Sequence, residues 1–470
     1  MSVNKYNFET YLSPFTWRYG SVPMRYIHSE QHKYELWRKI WLALAKAQCK
    51  VGLVTEEEFG DLKKHEKEID IERILEIEKE TKHDVVAAIK EFAEKAKVGG
   101  GKIHLGATSM DIVDNADILR IKESLLIIED KLQAVLSIFS KLIKKYADFP
   151  CLGYTHLQPA EPTTVGYRLA FYAQDLLNNL IQVRQVLDNI KGKGFKGAVG
   201  TSASYKTLLQ GRGVSVDKFE KEVTKSLGLD PILISNQTYP RQFDFNVLSA
   251  LASICSSLAK FAGDLRILQS PNFGEWSEPF GEKQVGSSAM PFKKNPIDCE
   301  NICSLTRYVA KLPQVALENA TLSYLERTLD DSANRRIILA DSFLATDQVL
   351  MTAEKILSGL VINKNRIQFN LKQYAPFVAT EAILMEAVKR GGNRQEMHEV
   401  LRNISMAAWT VIQQGHSNPM ANLLKGNKLI NKFLSKNKIK QFLDVNKHIG
   451  DAPKRALTLV QEIEQLKKKK

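Results

Sequence analysis

The sequence predicts a mainly α-helical protein built around an elongated bundle of long helices. Three observations carry this: apolar residues recur at helical spacing over long stretches, strand-like alternation is scarce, and polar, glycine- and proline-containing segments fall between those stretches. Taken in order, residues 30 to 51 place Trp37, Ile40, Trp41, Leu44 and Ala45 on one helical face. Residues 111 to 146 and 163 to 190 are both amphipathic and far longer than the usual helix of roughly 11–12 residues. Three more long helices are predicted over 243 to 269, 296 to 321 and 328 to 357. The least polar run, 245 to 259, is followed by Lys260 and Asp264, is too short to span a bilayer, and reads as a helix buried on most sides. The best hairpin candidate is the glycine-rich GKGFKGAVGTSASY, residues 192 to 205. Helices this long carry apolar faces that one chain rarely covers, so a homo-oligomer is expected. Breaks near Gly99-Gly100-Gly101 and near 361 to 364 suggest an N-terminal helical domain (1–110), a central bundle (111–362) and a C-terminal helical domain with a basic tail (363–470).

Composition narrows the function. Of 470 residues 44% are hydrophobic and 25% charged, the balance of an ordinary folded chain. The first seventeen residues lack the apolar core of a signal peptide, and five cysteines without metal-ligand spacing fit reduced thiols; a cytoplasmic protein is expected. Cys299 and Cys303 lie one helical turn apart, with no second pair or nearby histidine to complete a zinc site, so no metal is expected. The formal charge of +13 hints at nucleic acid, but residues 421 to 470 carry 13 basic against 4 acidic side chains. That stretch alone is +9, which leaves +4 for the rest. A lysine tail without interleaved aromatics is better read as a solvated helix end than as a nucleic-acid surface. A net positive chain also suits a small anionic substrate.

In a helical protein, chemistry comes from loops and helix ends where polar groups converge. Five segments qualify: Lys82-His83-Asp84-Val85, HLGATSMD (104–111), YTHLQPAEP (154–162), GSSAMPFKKNP (286–296) and ERTLDDSANRR (326–336). Each also has a plain structural reading. Thr108 and Asp111 make a capping box before a long helix. His156 is a loop histidine in an extended segment that Gln158-Pro159 keeps out of helix, yet histidine is the side chain best suited to proton transfer near neutral pH. Arg327, Ser332 and Arg336 fall about a turn apart and could either pair with Asp330 and Asp331 or grip a phosphate or carboxylate. In GSSAMPFKKNP the glycine frees the backbone, while serine hydroxyls, main-chain N–H groups and lysines offer anion contacts. Composition stops at anion binding.

GSSAMPFKKNP resembles the signature loop of the fumarase/aspartase superfamily, whose members eliminate fumarate from substituted succinates. Together with KHDV, GATSMD, THLQPAEPTT, NQTYPRQFD, ERTLDDSANRR and GGNRQEMHEVLR, in that order, the chain resembles the adenylosuccinate lyase family over almost its whole length. The resemblance implies a three-domain fumarase/aspartase-like fold, a homotetramer with active sites shared between subunits, and no metal or organic cofactor. It implies two fumarate-releasing reactions in purine nucleotide biosynthesis, on a small anionic nucleotide substrate.

Carried over by position, the resemblance makes Ser287 the general base and His156 the general acid that protonates the departing nitrogen. Lys293 and Asn295 hold the succinyl carboxylate. Arg18 and Tyr19 form a nucleotide-binding pair, Lys82, His83, Asp84, Thr108, Ser109 and Gln237 are further substrate contacts, and Arg327, Ser332 and Arg336 are the phosphate set. Three positions depart from common family patterns. Phe292 replaces a frequent histidine, Lys82 a frequent arginine, and Asn301 an arginine found in some members. Phe292 cannot donate a proton, and Lys82 keeps the charge but loses a bidentate fork.

Overall fold

A computed structural model describes residues 9 to 468, and side chains to residue 466; the lysine tail's side chains and the first eight residues lie outside the described part. The predicted helices are observed as Glu30–Lys50, Ser109–Lys145, Val165–Asp188, Gln242–Gln269 and Asp330–Ser358. Trp37, Ile40, Trp41, Leu44 and Ala45 are all buried, as their spacing requires. One expectation fails at a proline. The single helix expected over 296 to 321 is two, Ile297–Val309 and Leu312–Thr321, because Pro313 has no N–H to continue the ladder and instead sits in the first turn of the second.

The hairpin was expected in the wrong place. Among the described residues, the 192–205 segment contributes only an isolated bridge, Gly192 to Pro231, and then enters the helix Ala203–Leu208. The actual hairpin pairs Pro150–Thr155 with Gln158–Thr164, antiparallel, with Thr155 opposite Gln158. Its two loop residues, His156 and Leu157, both have positive φ (53° and 60°), the backbone of a two-residue turn that matches strand twist. Pro150, Pro159 and Pro162 hide these strands in the sequence, since proline is tolerated only where no ladder N–H is needed.

Packing divides the described chain into two compact units. The first holds the chain up to Leu132 with Asn179–Ser256 and Ser304–Met351. Its core joins Trp37, Ile40, Trp41 and Leu44 to Phe92, Ile112, Ala116, Phe219 and Val223. The second holds Gln133–Asn178, Ser257–Cys303 and the chain from Thr352. It contains a separate apolar cluster of Ile383, Met397, Leu401, Leu424, Ile430 and Ile439. One helix among the described residues, Gln242–Gln269, is long and apolar enough to cross a membrane by length and composition. Val247, Leu251, Ile254, Leu258, Phe261 and Leu265 along it are fully buried, which accounts for its apolarity as a core helix.

Candidate active site

In the second unit, the hairpin presents His156 at its exposed tip, and buried polar groups fix its base. Glu275, fully buried, accepts hydrogen bonds from the Tyr154 hydroxyl (3.0 Å), Arg168 Nη1 (3.1 Å) and Asn370 Nδ2 (2.9 Å). Arg168 also donates to the Leu152 carbonyl. A left-handed backbone at His156 and Leu157 is uncommon for non-glycine residues, and here it aims a titratable ring off the end of a braced ribbon.

The signature loop is held at its ends. Asn295 Nδ2 donates to the Gly286 carbonyl at 2.8 Å, and Gln269 donates to the Lys294 carbonyl at 3.0 Å while accepting from the Glu278 N–H at 3.0 Å. Glu278, buried, accepts the Asp298 and Cys299 N–H groups at 3.3 and 3.1 Å where the next helix begins; burial raises its carboxyl pKa. Gly286 is required by close approach, because a Cβ there would meet the Lys293 carbonyl oxygen at 1.9 Å. Inside this frame the Ser287 Oγ accepts the main-chain N–H groups of Ala289 (3.3 Å) and Met290 (3.1 Å). Two donors aimed at one oxygen stabilise negative charge on it, which is what a serine base needs. Lys293 is exposed in the same loop, whereas Lys294 lies over the Phe280 ring at 5.2 Å; Phe292 has its apolar ring 82% exposed.

In the first unit, the structure brings together three segments far apart in sequence. His83 Nε2 lies 3.5 Å from Ser109 Oγ, and Arg336 donates to Asp84 at 3.1 Å. Asp111 accepts the Thr108 N–H at 3.1 Å, one half of the predicted capping box. Lys82 is exposed, at a left-handed helix end. Arg18 is exposed, its guanidinium 5.7 and 5.9 Å from the Trp17 and Tyr19 rings, and the loop after it is tied down by Gly20 N–H to Gln348 (3.1 Å) and Ser21 N–H to Asp347 (2.6 Å). Gln237 follows Asn236, whose amide donates to the Leu325 carbonyl at 3.4 Å. Ser332 lies in the first turn of the Asp330–Ser358 helix.

Arg327 stands out electrostatically. Its side chain is 11% exposed, and neither Nε nor Nη1 has a hydrogen-bond partner. Burial lowers its pKa. Such a group needs an acceptor from outside. The expected ion pair with Asp331 is present at Arg327 (Nη2 to Oδ1, 3.6 Å), Arg336 pairs with Asp84 and not with Asp330 or Asp331, and Arg327 keeps Nε and Nη1 for an anion. Sequence reasoning missed Gln269, Glu275 and Glu278. Their signal is faint: two isolated acids and an amide flanking a conspicuous loop.

The fold, with the family matches below, makes the chain a lyase of the fumarase/aspartase type. Solved structures agree on the fold: a fumarate lyase from a Mesorhizobium species (TM-score 0.83, 23% identity, 96% and 99% of the two chains) and a 3-carboxy-cis,cis-muconate lactonizing enzyme from Pseudomonas putida (TM-score 0.84, 22%, 96% and 99%). A family model described as a lyase matches residues 21–310, and one for the adenylosuccinate lyase C-terminus matches 376–456. Adenylosuccinate lyases from Saccharomyces cerevisiae (37% identity, 97% of this chain and 95% of the relative) and Archaeoglobus fulgidus (36%, 97% and 99%) align nearly end to end. The chain belongs to the adenylosuccinate lyase family.

Proposed function

We propose that this chain eliminates fumarate from adenylosuccinate, leaving AMP, and from succinyl-aminoimidazole-carboxamide ribotide, leaving its carboxamide product, in purine nucleotide biosynthesis. The observation that carries the reaction class is Ser287 under two N–H donors, in a loop that also supplies Lys293 and Asn295. Ser287 takes the proton from the succinyl carbon beside a carboxylate. The carbanion pushes charge into that carboxylate, a double anion inaccessible without preorganised cations and donors. Lys293 supplies the cation. Asn295 uses one N–H on Gly286 and keeps the other for a carboxylate oxygen. The electron pair then forms the C=C bond, the C–N bond breaks, and His156 delivers a proton to the departing nitrogen.

The phosphate goes to Arg327, Ser332 and Arg336, with the unpaired Arg327 nitrogens supporting that assignment. Arg18, Tyr19, Lys82, His83, Asp84, Thr108, Ser109 and Gln237 complete the nucleotide contacts. No metal or organic cofactor takes part in this scheme. The proposal includes a cytoplasmic homotetramer in which each site draws residues from several subunits. Leu126, Phe171 and Ile337, apolar yet 46–56% exposed on three long helices, support association. The three-domain division at 110 and 362 also belongs to it, supported by the C-terminal match and the separate apolar cluster there. Purified protein incubated with adenylosuccinate, argininosuccinate and malate in parallel tests the reading. Fumarate should appear from adenylosuccinate alone; release from argininosuccinate instead would move the chain to a sister activity.

A further inference from the structure

Near the start of the Asp330–Ser358 helix in the first unit, Arg241 and Arg335 are fully hydrogen-bonded, whereas Arg327 keeps two buried nitrogens without a hydrogen-bond partner. Arg241 Nε donates to Asp331 Oδ2 at 2.7 Å, and its two η nitrogens fork onto Asp114 at 3.1 Å each. Arg335 is equally satisfied, by Asp244 (2.7 Å), Asp117 (3.2 Å) and the Tyr239 hydroxyl (2.7 Å). Arg327 has Nη2 3.6 Å from Asp331 Oδ1, too far for a hydrogen bond, and that oxygen has no hydrogen-bond partner either. Asp331 is buried, and so are Arg241 and Asp114.

The four side chains form a line of alternating charge: Asp114, Arg241, Asp331, Arg327. Arg241 is immobilised at its far end by the Asp114 fork and the face of the Tyr239 ring, 4.6 Å away. It therefore fixes the Asp331 carboxylate, which attracts Arg327 without closing onto it. A carboxylate free to rotate would pair with Arg327 and consume its donors; a missing carboxylate would let the guanidinium turn to water. The held carboxylate does neither.

We propose that Asp331, restrained by Arg241, is the positioning residue that presents the unpaired Arg327 donors to the substrate's phosphate and thereby sets the preference for a phosphorylated substrate. This rests on the phosphate reading of Arg327 given above. The test compares adenylosuccinate with its dephosphorylated nucleoside in full-length wild type, Asp331→Asn and Arg241→Lys. Both variants should raise KM for the nucleotide about 10-fold, the scale of one charge-assisted hydrogen bond, with kcat nearly unchanged. The kcat/KM for the nucleoside should stay put, so the ratio between the two substrates falls by the same factor. Asp331→Glu, which keeps the charge, should recover much of that ratio. Asp244→Asn disturbs the neighbouring Arg335 and should lower the thermal midpoint without moving the ratio. Equal losses on both substrates, or an unchanged ratio in variants of a wild type that does discriminate, would overturn the inference alone. A wild type that does not distinguish nucleotide from nucleoside would overturn the phosphate reading and the inference with it.

Discussion

Lys193 and Asp111 form an ion pair in which both side chains are fully buried, and it anchors the turn that carries Thr108 and Ser109. The two ends are not equally supported. Besides Lys193, Asp111 accepts main-chain N–H groups from Thr108 (3.1 Å), Lys196 (3.3 Å) and Gly197 (3.3 Å). Besides Asp111, Lys193 Nζ has the Gly197 carbonyl at 3.4 Å. Removing one partner of a buried pair costs about 3–5 kcal/mol, because the other charge stays behind. Lys193→Met leaves a carboxylate with three donors and belongs near the lower limit, about 3 kcal/mol. Asp111→Asn removes the countercharge and turns an NH2 donor into a site lined by N–H donors, leaving the ammonium only neutral acceptors, and belongs near the upper, about 5 kcal/mol. Hydrogen exchange of the intact protein at Thr108, Lys196 and Gly197 reads this directly. A cost of about 3 kcal/mol is roughly a 100-fold change in the opening equilibrium. The double variant should lose less than the sum of the singles. Exchange in Lys193→Met as fast as, or faster than, in Asp111→Asn would refute the argument, and so would a wild-type rate in either.

Two further outcomes follow from the geometry. Gly286→Ala puts a methyl where the Lys293 carbonyl sits, so the serine loop must open; turnover should fall on the order of 100-fold, the cost of a misplacement near 1 Å, while circular dichroism stays native. His104 accepts a hydrogen bond at Nδ1 from Trp41 Nε1 (3.1 Å), and burial pulls its pKa down to about 4. The unfolded chain then binds the extra proton first, so stability is lost as pH falls from about 6.5 toward 4, by up to about 3 kcal/mol. Partly buried His28 adds to the same slope, since desolvation lowers it too. His32 opposes it: its hydrogen bond to Glu123 raises its pKa, and its contribution, present below about 6.5, is lost only as pH rises through that raised value. His104→Gln should flatten the dependence of the urea midpoint on pH without abolishing it; an unchanged slope would contradict the assignment.

What the sequence revealed follows physical lines. Helices over 30–51 and 111–146 were legible because their periodic apolar faces are buried within the chain itself. The hairpin carrying His156 was not, because its prolines imitate loop chemistry and its turn uses His156 and Leu157, not Asn-Gly. The motif residues of the loop were readable, but not the brace: Gln269 and Glu278 act through main-chain atoms, which leave no mark on sequence spacing. The same holds for Ser287, whose two N–H donors belong to Ala289 and Met290, residues with no polar side chain. Arg327 and Arg336 look alike in sequence, and only burial separates the cation with two unbonded nitrogens from the exposed one paired with Asp84.

The central claim is that Ser287 starts fumarate release from adenylosuccinate. Fumarate and AMP released over time by wild type and by Ser287→Ala, with His156→Ala beside them, test it most directly. The account predicts equimolar fumarate and AMP from the wild type, with turnover lower by roughly 100-fold or more in each variant and substrate still bound. Wild-type turnover in Ser287→Ala, or no fumarate from the wild-type protein, would contradict it.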